Sequence, residues 1–153
     1  MIRLTNLADY GVVLMAEVAS RADLSRTNDL VDATGLPSAT VAKLMNALTR
    51  GGLLTSHRGA QGGFELSRQA AEITIADIVE AIEGPIALTQ CTTDRVDDCS
   101  FEPICRVRPY WNTINDAVKS ALSDVTLGTL VAETNGSATP GASPKVLESR
   151  STA

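Results

Sequence analysis

The order of patterns between residues 27 and 66 constrains the fold of this chain more than any other feature. The run TNDLVDATG predicts a short helix, with Thr27 or Asn28 as its N-cap and Gly35 just past its end. The run LPSATVAKLMNALTRGG predicts a second helix that starts at Pro37 and closes at a glycine pair. Two helices joined by a glycine-containing turn indicate a helix-turn-helix.

The residues that follow change from a helical pattern to a hairpin pattern. Two short runs, Leu53–His57 and Gly63–Leu66, flank a glycine-rich turn, which predicts a β-hairpin. A hairpin placed directly after a helix-turn-helix is typical of a wing. The second helix before it has one apolar face, made of Val41, Leu44, Met45 and Leu48.

Further helices are predicted on both sides of this unit. Apolar residues at three- and four-residue spacing predict helices over about residues 5–20 and 74–84, and a stripe beyond Pro109 predicts one of roughly 16 residues. The stripe could cover the core of its own subunit, but at the end of a small winged domain we favour a dimer seam. Its members are Trp111, Ile114, Val118, Leu122 and Val125.

These patterns divide the chain into four segments of a mostly α-helical, winged helix-turn-helix protein. We expect a DNA-binding domain over 1–84, a cysteine-rich loop over 85–108, a dimerisation helix and following segment over 109–132, and a tail over 133–153. The tail is rich in Gly, Ser, Thr, Pro and Ala, which predicts disorder from about residue 134.

The distribution of charge favours a nucleic-acid partner although the net charge is −5. Residues 38–68 carry four basic side chains and one acidic one, so a local basic surface can dock on phosphates while the whole protein stays acidic. On the second helix, the candidates for contacts with double-stranded DNA are Ser38, Thr40 and Lys43. The alternative interpretation is a capped, solvated helix surface.

The predicted wing supplies a second surface for DNA. Its turn, SHRGAQGG, places His57, Arg58 and Gln61 beside glycines that let the backbone approach a phosphate closely. An arginine on a wing tip fits a narrow minor groove. Together, the second helix and the wing predict a DNA-binding protein.

All three cysteines lie in one stretch, CTTDRVDDCSFEPIC. Since the chain shows no apolar signal core and no run near the about 20 residues of a membrane span, we expect a cytoplasmic protein with reduced thiols. The spacing Cys91-x7-Cys99-x5-Cys105 is wider than zinc-type C-x2-C pairs and suits a loop around an iron–sulfur cluster. A zinc site or a thiol switch is the alternative. A cysteine enzyme is disfavoured because the single histidine, His57, lies in the predicted wing.

The chain resembles the iron–sulfur-responsive winged-helix regulators of the Rrf-two family over about residues 1–130. The resemblance rests on RLTNLADYGVVLM, SHRGAQGGFELS, IVEAIEGPIALTQC and the three-cysteine loop, which occur in this order. Within the family, the closest likeness is to regulators of the Suf iron–sulfur assembly operon in proteobacteria. The resemblance implies a homodimeric repressor of iron–sulfur assembly or of iron- and redox-responsive genes. It also implies one cluster per subunit, [2Fe–2S] in preference to [4Fe–4S].

The resemblance further implies roles for single residues. The matching cluster ligands are Cys91, Cys99 and Cys105, and the matching DNA contacts are Ser38 to Lys43 and Arg58. Isc-type members have a histidine three residues after the last cysteine, where this chain has Arg108. Asp9 matches the aspartate that supplies the fourth ligand from the partner subunit in the nitric-oxide sensor. An ordinary surface carboxylate is the alternative for Asp9, and Glu102 or solvent are the other candidate ligands.

Overall fold

The computed structural model describes residues 3–59, 61–89, 92 and 105–136. A two-stranded antiparallel hairpin accompanies the helices, so the predicted mostly helical, winged fold is confirmed. Within the described ranges, none of the helices has both the length and the apolar character needed to cross a membrane. The elements are α1 (Asn6–Ser20), α2 (Thr27–Thr34), α3 (Ser38–Arg50), β1 (Leu54–His57), β2 (Gly63–Leu66), a 3-10 helix (Ala70–Glu72), α4 (Ile75–Glu83), α5 (Arg108–Ser123) and α6 (Leu127–Gly136).

The first helix of the helix-turn-helix begins one residue earlier than its predicted caps imply. Arg26, and not Thr27 or Asn28, is the N-cap of α2. The carboxylate of Asp29 accepts a hydrogen bond from the backbone N–H of Arg26 at 3.3 Å, which satisfies this donor at the helix start. Gly35 ends α2 with φ +69, a left-handed conformation that favours glycine.

The second helix, α3, also begins beside its predicted start. Pro37 precedes α3 as the N-cap, and its carbonyl accepts hydrogen bonds from the N–H groups of Thr40 and Val41 at 2.9 and 3.0 Å. The predicted apolar face is the buried face, so it packs into the core of the molecule. Its buried residues are Val41, Leu44, Met45 and Leu48.

The hairpin differs from the prediction at the start of its first strand. Leu53 lies before β1, because its N–H donates to the carbonyl of Leu48 at 3.0 Å and thereby closes the end of α3. Backbone hydrogen bonds in both directions between Ser25 and Phe64, 2.9 and 2.8 Å long, tie β2 to the segment before α2. The wing therefore has a fixed position against the helix-turn-helix.

A single hydrophobic core joins helices from before and after the hairpin. The turn after α5 pairs with the chain before α4: the N–H of Ile75 donates to the carbonyl of Val125 at 3.0 Å, and the N–H of Leu127 donates to that of Ile73 at 2.8 Å. This pairing returns the chain to the winged unit. Fully buried members of the core include Leu14, Met15, Leu44, Ile78 and Leu127.

The C-terminal region departs from the prediction in two places. Helix α5 ends at Ser123, so Val125 lies in the turn after the helix and not on a continuous helical stripe. Helix α6 contacts α1 and extends to Gly136, although the composition predicts disorder from about residue 134. Short helices in proteins owe their stability mainly to packing, which the composition does not show. The predicted disordered tail beyond Gly136 lies outside the described residues.

Candidate nucleic-acid interface and cysteine site

Helix α3 presents a polar and basic face on the side opposite its buried residues. Lys43, Asn46 and Arg50 are exposed and follow one another at three- and four-residue spacing, so they share one face. Ser38, the first residue of the helix, is exposed, and Thr40 is half-buried beside this face. We call these five residues the recognition face. Of the three predicted contacts on the helix, only Lys43 lies at its centre.

Asn46 and Arg50 are missing from the predicted DNA contacts. Their signal in the sequence is the spacing from Lys43, three and seven residues, which places all three on one side of a helix. An amide can pair with base edges and a guanidinium with phosphate or guanine. The recognition face therefore extends over about two helical turns beyond the predicted contacts at the helix start.

Glycines shape the tip of the wing. The N–H of Gly62 donates to the carbonyl of Gly59 at 2.9 Å, and Gly59 has φ +113. A Cβ atom at Gly62 would lie 2.2 Å from the carbonyl oxygen of His57, so no other residue fits without a backbone shift. Arg58 and Gln61 are exposed on either side of this turn, and their DNA contacts stay a prediction.

His57 has a partner within the wing. Its Nε2 atom lies 2.7 Å from Oε1 of Glu65 on β2, and both side chains are about half exposed. The contact joins the two strands of the hairpin through their side chains. A direct DNA contact by His57 stays a prediction.

The basic side chains near the interface differ in their pairing. Within the described residues, no ion pair engages Lys43, Arg50 or Arg58, whereas Arg68 pairs with Asp77 at 2.9 Å. Three of the four cations counted in the sequence are thus available to phosphates. The start of α2 faces the wing across a cleft of about 370 Å³. Its lining includes Arg26, Thr27, Asn28, His57 and Gly62.

The predicted cluster ligands are described only in part. Cys105 is half-buried three residues before α5, whereas Cys91, Cys99 and Glu102 lie outside the described residues. Asp9 is exposed in the first turn of α1, and its carboxylate makes no hydrogen bond or ion pair within the described part of the chain. A role for Asp9 as a cluster ligand stays a prediction.

A buried amide on α5 holds the segment that leads into the cysteine loop. The side chain of Asn115 accepts a hydrogen bond from the N–H of Leu88 at 3.0 Å and donates one to the carbonyl of Ile86 at 3.1 Å. On α4, Oε1 of Glu80 accepts from the N–H of Ile86 at 3.4 Å and from Nζ of Lys119 at 2.7 Å. We call Glu80, Asn115 and Lys119, with the backbone they bind, the loop clasp.

Comparison with known proteins identifies the family of this winged-helix chain. Residues 4–133 match the sequence model of the Rrf2 family, described as an iron-dependent transcriptional regulator. The chain belongs to the Rrf2 family. A relative from Mycobacterium tuberculosis, described as an HTH-type transcriptional regulator, is 31% identical over 128 residues, which are 82% of this chain and 78% of the relative. One from Azotobacter vinelandii with the same description is 30% identical over 135 residues, or 87% and 81%.

Solved structures agree with the Rrf2 assignment. The global cysteine regulator CymR of B. subtilis superposes with a TM-score of 0.67 at 28% identity, over 87% of this chain and 98% of CymR. IscR of T. potens gives a TM-score of 0.69 at 20% identity, over 92% and 94%, which shows a shared fold. The Rrf2-family chain is thus a DNA-binding transcription regulator and not an enzyme, as predicted.

Proposed function

We propose that this Rrf2-family regulator is a homodimeric repressor whose affinity for operator DNA depends on an iron–sulfur cluster, [2Fe–2S] in preference to [4Fe–4S]. Its targets are genes of iron–sulfur assembly, as for Suf-type regulators, or other iron- and redox-responsive genes. The observation that carries the proposal is the position of Cys105, half-buried three residues before α5. Because Asn115 binds the backbone of residues 86 and 88, the described residues on both sides of the three-cysteine stretch lie at α5.

The donor set fits such a cluster in kind. Cys91, Cys99 and Cys105 would hold it as thiolates, and Asp9 of the partner subunit would supply the fourth ligand. The bound cluster supplies sensitivity to iron and to oxidants. A carboxylate is a harder ligand than a thiolate, so the bond through Asp9 would be the more labile one. Val13, one turn beyond Asp9, is an exposed apolar side chain, which supports a contact between this part of α1 and another subunit.

The exposed side of α5 supports the homodimer. Near its start, Val107, Tyr110 and Ile114 are exposed by 54%, 70% and 43%, and Trp111 lies among them. Apolar side chains that adjoin on one helix are costly to leave in water. Two copies of α5 packed together would cover them, and they would set the separation of the two recognition faces.

The DNA contacts of the proposed repressor lie on two elements. Ser38, Thr40 and Lys43 at the start of α3 would enter the major groove, while Arg58 and Gln61 on the wing, next to His57, would reach the adjacent minor groove or backbone. Two such units in a homodimer read two half-sites of one operator.

Anaerobic purification followed by visible absorption, iron and sulfide assays tests the cluster. Replacement of Cys91, Cys99 or Cys105 by Ala should each remove or severely destabilise it, because two thiolates do not hold it without substitute ligands. Normal iron and sulfide in all three variants would contradict the assignment.

Asp9→Ala should keep the fold and dimer but speed cluster loss. If Glu102→Ala shows that effect and Asp9→Ala does not, the fourth ligand is Glu102.

A thiol switch or a zinc site is the second candidate function. The CymR structures favour it, since CymR of B. subtilis is a cysteine regulator and one structure of Staphylococcus aureus CymR, 26% identical to this chain, is an oxidized form. Under this alternative, the anaerobic protein would be colourless and its operator affinity would change with thiol oxidation or zinc. An iron-containing, coloured protein would exclude it.

A further inference from the structure

Asn115 stands out on α5 because it is a buried polar residue beside exposed apolar ones. Its exposed fraction is 7%, whereas that of the adjacent Ile114 is 43%. A buried amide is costly unless its carbonyl and its NH2 group both find partners. Here the N–H of Leu88 and the carbonyl of Ile86 provide them. The amide of Asn115 thus supplies both a donor and an acceptor to the same stretch of backbone.

The loop clasp also reaches α4. The carboxylate of Glu80 accepts hydrogen bonds from the backbone N–H of Ile86 and from the ammonium group of Lys119 on α5. The backbone at 86–88 is therefore held between two helices. Next to the loop clasp, the N–H of Thr92 donates to the carbonyl of Thr89 at 3.1 Å. The start of the cysteine-rich loop, residues 86–88, is therefore held by side chains of α4 and α5.

From α4, contact continues to the end of the recognition helix. A Cβ atom at Gly51, which follows α3, would lie 2.6 Å from the Cβ of Ala81 on α4. There is no spare space between the two helices at this point. A shift of α4 is therefore transmitted to the end of α3 and not absorbed by a gap.

We infer that Asn115 is a positioning residue that fixes the entrance of the cysteine loop on α5 and couples the state of the loop to α3 through α4. The inference rests on the proposed function in one respect, namely that the loop carries the sensor. It adds a path within one subunit to the separation of the two recognition faces that the proposed α5 contact would set. Such coupling requires one connecting element with two arrangements, and both the state of the loop and the binding of DNA must shift the balance between them. That element is α4.

The test compares two substitutions of the same chemistry on one helix. Asn115→Asp keeps the size and the acceptor of the side chain but removes the donor to Ile86, while Asn112→Asp makes the same change at an exposed position of α5. Total thiol labelling of the metal-free full chain is the first readout. We expect labelling to be about fivefold faster in Asn115→Asp, as for the loss of one buried hydrogen bond, and unchanged in Asn112→Asp.

The second readout is the ratio of operator affinities with and without the cluster. It should fall towards one in Asn115→Asp and keep the wild-type value in Asn112→Asp, which a general loss of stability would not produce. Wild-type labelling and a wild-type ratio in Asn115→Asp would overturn the inference. If Asn115→Asp does not fold, Lys119→Gln, which removes the other arm of the loop clasp, should show the same changes to a smaller degree, and wild-type behaviour there would also overturn it.

Failure of the proposed function gives a different result. A wild-type protein that binds no iron, or that binds its operator equally with and without the cluster, would contradict the proposed sensor. The labelling rates of the metal-free variants would still show whether Asn115 positions the loop.

Discussion

Single residues of the interface differ in whether their charge is already satisfied. Arg58 on the wing is in no ion pair of the described residues, while Arg68, ten residues later, is bound to Asp77. In the sequence, both arginines lie in the basic stretch 38–68 and contribute equally to its charge. The structure separates them, because the carboxylate that pairs with Arg68 comes from α4 and not from the neighbouring sequence.

Arg58→Ala should weaken operator binding and lower the salt slope of the binding constant by about one phosphate equivalent. If Arg58 reads the minor groove, its loss should also relax sequence preference by ~1–3 kcal/mol at that position. A titration of operator DNA over a salt series measures both. Arg68→Ala is the matched control and should leave the slope unchanged. An unaltered affinity for Arg58→Ala at every salt concentration would remove the wing from the interface.

Asn115 shows why part of the site was not predictable from the sequence. Its position within the stripe from Trp111 to Val118 signals an amide on an otherwise apolar face. Its partners, however, are backbone groups of residues 86 and 88, which only the fold brings near. Lys43 and Arg58 needed no such partner, because local periodicity and turn chemistry alone place them at the surface.

Among the elements, the helices with regular apolar faces were predictable from the sequence and α6 was not. Helix α4 has a regular apolar face and a threonine N-cap whose hydroxyl accepts from the N–H of Asp77 at 3.1 Å. Helix α6 has a glycine as its second residue, which disfavours a helix, so its sequence gives little evidence of one. It forms because Leu127 is buried in the core that α1 and α4 share.

Leu127→Ala should lower the free energy of unfolding by about 2–5 kcal/mol, because it removes a fully buried side chain and leaves a cavity. Urea denaturation followed by circular dichroism gives the change. Leu4→Ala, at a leucine that is 45% exposed, serves as the control and should alter stability by about 0.5 kcal/mol or less. Equal stability of the two variants would mean that α6 does not contribute to the core.

For the whole molecule, the exposed side of α5 is the surface through which the proposed homodimer would form. Ile114→Asp should shift the protein from dimer to monomer, because a charge would be buried between two copies of α5. Sedimentation equilibrium at several protein concentrations detects the change. Asn112→Asp adds the same charge to the same helix and should stay dimeric. A dimeric Ile114→Asp protein would place the contact between subunits elsewhere.

The winged fold and the family were predictable from the sequence, because the helix-turn-helix, the glycine turn of the wing and the cysteine spacing each have a local signature. The return of the chain after α5 was not. It depends on hydrogen bonds between residues 73–75 and 125–127, about 50 positions apart in a chain whose intervening loop gives no sign of the pairing. Contacts of this range follow from the packing of whole helices.

That return pairing has a consequence for the length of the operator. In the proposed homodimer this pairing holds the end of α5 against the core of its own subunit. Each wing and recognition face therefore keeps a fixed position relative to α5, through which the two subunits would be joined. One base pair added between two half-sites rotates the second by about 34° around the duplex. A dimer held in this way cannot follow the rotation, so the affinity of such a repressor would depend on the spacing of the half-sites as strongly as on their base sequence.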